Sequence, residues 1–438
     1  MSERGGHAEA AGGASGGWLI TTRAAAVGLA LLSAVNVLNY FDRLLMTVAA
    51  EPVKRVFALS DTQLSLLTGP AFVLVYVSAS LLFGWLADRR NRRNVMALAV
   101  ALWSVMTVLG GLARSFTQLA IARAGVGLGE GGSNPASLSM ISSYFPPEKR
   151  GRAVAVFQAC GMIGILLTFV VGSWLVTAFG WRAAFLVAGV PGLLCSLALL
   201  AWVREPGRGV PGNVAQVLSL RASLGLLRTN AAYRWIVLAS GLAVFGNLGM
   251  MQWLPLFFIR SHHLSLRQMG VFFGPGLACG MMAGMLIGGW IGDRLGRTGL
   301  ARSLLLCVVA NLILTPLDWL VLWVPSTRTA LVLTFFASAT SVVYAPTLTA
   351  AMQTVAGVQV RGMAAAVFNL VNGVLGQALF PFLVGVLSDA FYPSLGAEAL
   401  RMSLTVVIAS CLLAAAVFVK ATRVTAVADR TARIRLPA

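Results

Sequence analysis

GWLADRRNRR, at residues 84–93, and GWIGDRLGR, at residues 289–297, are near copies of one short polar string, and each follows a long apolar run. A second pair, RGRAVAVF at 150–157 and RGMAAAVF at 361–368, falls at nearly the same offset. Two matches in the same order indicate two copies of one unit. The repeated loops fall on the same side of a membrane, so the two copies run parallel.

The runs between these loops set the class. Of the 438 residues 58% are hydrophobic and 11% charged, with a mean hydropathy of +0.83, where a soluble domain carries about 25% charged residues. The runs are too long for barrel strands and lack their two-residue alternation. At about 20 residues per span, they predict twelve helices, near 24–50, 61–87, 95–113, a fourth carrying 123–135, then 153–179, 183–203, 234–259, 267–292, 303–323, 329–354, 363–391 and 402–420. The expected fold is an all-α membrane protein, two six-helix bundles related by pseudo-two-fold symmetry. Its predicted parts are a disordered cytoplasmic tail (1–20), a first bundle (21–203), a Pro- and Gly-containing basic connector (204–233), a second bundle (234–420) and a basic tail (421–438). Glu3 and Glu9 in the Gly/Ala/Ser-rich start argue against a cleaved signal peptide.

A net charge of +19 would suggest nucleic acid in a soluble protein. Here most Lys and Arg fall in loops on one side, and only Arg43 and Arg123 fall in the membrane. That is the positive-inside bias, and it predicts a cytoplasmic-membrane protein with both termini cytoplasmic and no nucleic-acid partner. The five cysteines lie in spans without C-x-x-C spacing, and His7, His262 and His263 lie in the tail and an outer loop. No metal or cofactor set is expected. With no nucleophile and base pair and no G-x-S-x-G, an enzyme is not expected either.

The most unusual stretch inside a span is RAGVGLGEGGSNP, residues 123–135. An ionised side chain in a span costs about 2.5–3.5 kcal/mol on the lenient insertion scale and is a functional candidate by default. Arg123 and Glu130 are seven residues apart, so on a helix they share a face and can look into one cavity. Gly125, Gly127, Gly129, Gly131 and Gly132 let neighbouring helices approach, and Pro135 deprives the Gly131 carbonyl of its helical partner. Gly127, Gly129 and Gly132 also match a dinucleotide fingerprint, but no strand precedes them, so nucleotide binding is not expected. In the first span Asn36, Asn39, Tyr40 and Arg43 share one face, with Asp42 beside it. Asp42 and Arg43 can be read as a buried structural pair or as a functional one.

The Gly84, Asp88, Arg89, Arg92 and Arg93 pattern, echoed at Gly289, Asp293, Arg294, Gly296 and Arg297, resembles the signature loop of the major facilitator superfamily, over about residues 21–420. The resemblance implies a conformational gate, in which Asp88 docks on the start of the eleventh helix near Met363 with the arginines assisting. Asn91 stands where the family usually has glycine, and asparagine tolerates a left-handed turn. NYFDR at 39–43, GLGEGG at 127–132 and SSYFPPEKRGRA from Ser142 look most like the spinster-like branch. That implies a proton-coupled carrier of lysophospholipid- or sphingolipid-type substrates, with Asp42 and Glu130 as proton sites and Arg43 and Arg123 as their partners. A similar N-Y-x-D-R occurs in symporters of sugar acids and aromatic acids, which keeps a compact organic anion open as substrate. A non-transporting membrane receptor is the reading from another class.

The halves differ in charge. The repeat offset carries Asp42 onto Asn247, and the tenth span holds no acid. The second half offers Asn247, Gln252, Tyr344, Gln353, Asn369, Asn372 and Gln377 with Phe245, Phe368 and Phe380, suited to neutral hydrogen bonds and apolar contact or to packing alone. Asp318, beside Pro316 and Trp319, reads as interfacial. The expected partners are a small-molecule or lipid substrate, protons and membrane lipids, and the expected state is a monomer.

Overall fold

The computed structural model describes residues 22–205 and 220–434. The expected tail over 1–20, the connector residues 206–219 and the last four residues lie outside them. Among the described residues nine helices are long and apolar enough to cross a membrane. Two of these, Lys149–Trp202 with 54 residues and Arg361–Val427 with 67, are each long enough for two crossings at about 20 residues per span. They turn back at Gly180 (φ 81°) and Gly396 (φ 52°), left-handed positions that glycine fills without strain. Phe116–Glu130 and Ser133–Tyr144, interrupted at Gly131 and Gly132, supply the remaining crossing, which gives twelve.

The spans follow the apolar runs closely. Span one is Thr22–Val48, span two is Asp61–Thr68 with Pro70–Arg89, and span three is Arg92–Leu112. Span four is the interrupted pair just given. Spans five and six are Pro147–Leu167, a π-helical turn Thr168–Gly172 and Ser173–Trp202. Span seven is Ala231–Ser261, and span eight runs from the π-helical turn Met269–Phe273 through Gly274–Gly296. Spans nine and ten are Leu300–Trp323 and Thr327–Val342 with Ala345–Ala356. Span eleven is Arg361–Asn372, Gly373–Leu379 and Phe380–Leu395, and the helix of span twelve is Ala399–Ile434.

Each bundle repeats one packing plan. Span one packs on five and six, two on four, and three on four and six. In the second bundle seven packs on eleven and twelve, eight on ten, and nine on ten and twelve. This is the pseudo-two-fold relation expected from the repeat. Glycines close these contacts: a methyl added at Gly127 would sit 2.4 Å from the Phe72 carbonyl oxygen of span two, and one at Gly288 would sit 1.8 Å from the Val343 carbonyl of span ten. Such backbone-to-backbone approach is what small residues provide where no hydrophobic drive separates helix from lipid.

The bundles meet at the end of the molecule where span two begins. Asp61 accepts from Arg260 at 2.8 and 3.0 Å and from the Ser388 hydroxyl at 2.7 Å, and pairs with Lys54 as well. Arg260 also donates to Glu51 at 3.1 Å. Asp389 accepts from the backbone amides of Asp61 (2.9 Å) and Thr62 (2.8 Å), capping span two from the other bundle. Beside this network Phe169 and Phe273, from the two π-helical turns, pack edge to face at 5.3 Å.

At the opposite end, Arg92 donates to Glu205 at 2.9 Å and to the Ser139 and Ser143 hydroxyls at 3.0 Å. Arg93 donates its amide to Glu205 at 2.9 Å and its guanidinium to the Leu200 carbonyl at 3.3 Å. Ser139, Ser143 and Leu200 belong to the first bundle and Glu205 to the start of the connector. Arg89 stacks on Trp85 at 4.3 Å and Arg294 on Trp290 at 3.6 Å. Gly84 has open space around it, and Asp293 and Arg297 are exposed. The Asp88 side chain, for which docking near Met363 is implied, lies outside the described residues. Asn91 is not left-handed: at φ −60° and ψ 115° it caps span three, accepting from the Asn94 amide at 3.1 Å. The asparagine side chain supplies a hydrogen-bond acceptor to the first turn that glycine does not.

Candidate functional site

Span one carries its polar flank where the apolar pattern places it, and span four supplies the counter-charge. Glu130 is the last residue of its half-helix; the chain breaks at Gly131 and Gly132, and the Ser133 hydroxyl donates to the Glu130 carbonyl at 2.9 Å. The break thus falls at Gly131, the residue whose carbonyl Pro135 leaves without a helical partner. That proline falls in the first turn of the following helix, where amides have no intrahelical acceptor to lose.

Arg43 donates Nε and Nη2 to one carboxylate oxygen of Glu130, Oε2, at 3.1 and 2.9 Å, and Nη2 lies 3.4 Å from Asn39 Oδ1. The other oxygen, Oε1, is buried without a close hydrogen bond, and the Asn39 amide nitrogen, also without a close partner, acts on the same carboxylate. The Arg43 guanidinium lies 5.6 Å from the Tyr40 ring, 5.2 Å from Phe72 and 4.8 Å from Tyr76. Arg123 approaches the same Phe72 ring at 5.1 Å. One aromatic ring thus stands against two guanidiniums, whose mutual repulsion its π-cloud offsets. Phe72 and Tyr76 carry no charge and were not singled out from sequence, though as an aromatic pair at i, i+4 on an adjoining span they carried a usable signal.

Asp42 points away, into span three. It is 3% exposed, accepts from the Thr107 hydroxyl at 3.3 Å through Oδ2, and leaves Oδ1 unbonded. Arg123 is also 3% exposed and reaches the Arg43 carbonyl at 3.5 Å. The expectation that Arg123 and Glu130 both look into a cavity is corrected. Glu130 has no exposed surface, neither residue lines the cavity, and of the four charged groups Arg43 alone faces it.

That cavity, of ≈ 190 Å³, is bounded by Tyr40, Arg43 and Phe72 on one side and Gln252 and Gln377 on the other. A second cavity, of ≈ 230 Å³, lies in the second bundle. Asn247 and Tyr344 line it and hydrogen-bond at 2.7 Å, as do Ser240 and Asn372 at 2.9 Å, with Phe368 alongside. Met251 and Met281 line both cavities, so the two adjoin. Phe245 packs edge to face on Phe380 at 4.8 Å, lining neither cavity, and Asn369 and Gln353 are exposed. Asp318 is not interfacial: it is 5% exposed and lines the second cavity. Among the described residues no three His, Cys, Asp or Glu side chains gather as a metal set.

A family model described as Major Facilitator Superfamily matches residues 32–381. An MFS-type efflux pump of Mycolicibacterium smegmatis is 32% identical over 397 residues, 90% of this chain and 91% of the pump. A probable L-galactonate transporter of Escherichia coli is 28% identical over 296 residues, 64% of this chain and 65% of that protein. Among solved structures, a bacterial homologue of the human lysosomal transporter spinster, inward-facing and unoccupied, superposes with a TM-score of 0.84 at 25% identity. The match covers 93% of this chain and 98% of that one.

Proposed function

The chain belongs to the major facilitator superfamily, and from that premise we propose that it is a proton-coupled secondary active transporter working by alternating access. The observation that carries the proposal is the Arg43–Glu130 pair, in which the one cation that lines the cavity among the described residues is held by a fully buried acid through a single oxygen. With Asp42 and Glu130 ionised, the set Asp42, Arg43, Arg123 and Glu130 sums to zero charge. A proton on Glu130 removes the ionic part of its hold on Arg43 and leaves the set positive. Arg43 then attracts an anionic or zwitterionic headgroup, and loss of the proton returns it to Glu130 and releases the headgroup. Asp42, buried behind Arg43 and within the fields of Glu130 and Arg123, is the second acid of the relay.

The positive-inside bias supports both termini in the cytoplasm, with the Asp61 end outside. On that orientation the Arg260, Asp61 and Asp389 network closes the outer path, and the two bundles, 21–203 and 234–420, rock about the midplane site. The polar loop with Asp88, Arg89, Arg92 and Arg93 would close the inner path in the opposite state. The protein acts as a monomer in the cytoplasmic membrane.

The substrate read from this arrangement is amphipathic, a lysophospholipid or sphingolipid type: its headgroup meets Arg43 and its hydrocarbon enters the methionine-lined second cavity. One observation favours a compact sugar acid or aromatic carboxylate instead. The Arg43 cavity alone, at ≈ 190 Å³, is smaller than the pockets of about 300–1,000 Å³ usual for larger ligands. Proteoliposomes with an imposed pH gradient separate the two. Movement of a labelled lysophospholipid that short carboxylates do not inhibit supports the lipid reading. Movement of a labelled sugar acid with none of the lysophospholipid overturns it.

A further inference from the structure

We propose that the cavity of the second bundle is a binding site for an organic cation, with Asp318 as its counter-charge. Asp318 stands on span nine, 5% exposed, and opens onto the cavity. Among the described residues it has no ion-pair or hydrogen-bond partner, and no cationic side chain acts on it. The other buried carboxylates among the described residues each meet a donor: Glu130 has Arg43, Asp42 has Thr107 and Asp61 has Arg260. A carboxylate taken from water without a partner is costly, so this one is matched either by a proton or by a cation that enters the cavity.

The walls decide what kind of cation fits. Met250, Met251, Met281, Leu254, Leu277 and Leu314 form a soft apolar surface, which suits alkyl groups of varied shape. A hard metal ion wants six or more oxygen ligands, and one carboxylate among methionines does not supply them. Asn247 has its amide on Tyr344 and its Oδ1 buried without a partner, a second acceptor for a positively charged group. The class is therefore an amine or quaternary ammonium attached to a hydrocarbon. Because Met251 and Met281 border both cavities, such a cation would sit beside the Arg43 cavity, opposite in charge to the anion site. The inference needs only the second cavity and does not depend on the proton cycle at Glu130.

The test uses the full chain in lipid nanodiscs and calorimetric titration with hexyltrimethylammonium, which carries no titratable proton, with hexan-1-ol as the uncharged control and empty nanodiscs subtracted. Saturable binding that falls by at least about tenfold in Asp318→Asn, is kept in Asp318→Glu, and has no counterpart for hexan-1-ol supports the site. Equal binding by wild type and Asp318→Asn, or no saturable binding by wild type, overturns it. A wild-type measurement covers the case in which the variant fails to fold. Saturating hexyltrimethylammonium should protect Asp318 from a carbodiimide, read by peptide mass, and labelling at an unchanged rate overturns the proposal. Retained pH-gradient transport of an anion in Asp318→Asn would leave the proposed function standing whatever the cation result.

Discussion

Arg43 binds Glu130 through a single oxygen: Nε and Nη2 both reach Oε2, at 3.1 and 2.9 Å, and Oε1 is left unbonded. A bidentate fork would satisfy both oxygens and lock the pair. The arrangement seen leaves Oε1, with only the Asn39 amide acting on the carboxylate beside Arg43, as a proton-accepting position on an acid that is entirely buried, next to a cation with 19% of its side chain exposed.

Breaking the pair from the acid's side should destabilise the protein. Glu130→Ala leaves the part-buried Arg43 without its carboxylate and takes a nearby negative charge from the buried Arg123, and is expected to cost about 3–5 kcal/mol. Glu130→Gln keeps an acceptor for Arg43 and should cost clearly less. Thermal unfolding in one detergent compares them, and equal losses would show that the neutral acceptor adds nothing and that the charge alone carries the pair.

Arg260 holds Glu51 and Asp61 together across the bundles. Arg260→Gln should weaken closure at that end by at least about 1.4 kcal/mol, a tenfold shift in population. A thiol placed by Gln252→Cys, in the Arg43 cavity, should then react with an impermeant reagent added outside about tenfold faster. An unchanged rate would remove Arg260 from the gate.

His262, just beyond span seven, is held below the ordinary histidine range by burial and by the charges of Arg401 and His263. Its neutral form contacts the Thr327 hydroxyl at 3.1 Å. A base whose pKa is depressed on folding takes its proton first in the unfolded chain, so stability is present above about pH 6.5 and falls as the pH drops below it. His262→Gln should show a smaller drop in Tm between pH 7.5 and 5.5 than wild type. An identical drop would assign the acid sensitivity elsewhere.

The glycines of the 123–135 stretch separate packing from mere composition. Gly127→Ala would drive a methyl to 2.4 Å from a backbone oxygen that cannot swing away, and should cost about 1–3 kcal/mol. Gly225→Ala, in the helix Leu220–Thr229 with nothing within 4 Å of the new methyl, should be neutral or gain up to about 1 kcal/mol. Matching melting temperatures for the two would contradict the close-packing role.

What could be read from sequence was what is local or repeated. The apolar runs gave the spans to within a few residues, except that the helix of span twelve runs on to Ile434, well past the expected end at 420; the paired loops gave the two bundles, and the charges inside apolar runs marked Asp42, Arg43, Arg123 and Glu130. Helix rotation was not legible. The i, i+7 spacing of Arg123 and Glu130 put them on one face without saying that the face is buried against spans one and two and that only Arg43 meets the cavity. Nor was the Arg260, Asp61 and Asp389 cluster, whose members are far apart in the chain and each look like an ordinary charge at a span end. Asp318 was misjudged for the same reason: Pro316 and Trp319 are typical of a membrane interface, while tertiary packing turns the carboxyl inward.

The central claim is that a proton on Glu130 frees Arg43 for substrate, and Glu130→Gln tests it most directly. In proteoliposomes, exchange of labelled for unlabelled substrate needs no net proton movement, whereas accumulation under a pH gradient does. Glu130→Gln is expected to keep exchange and lose accumulation. Accumulation at the wild-type level in that variant would contradict the account.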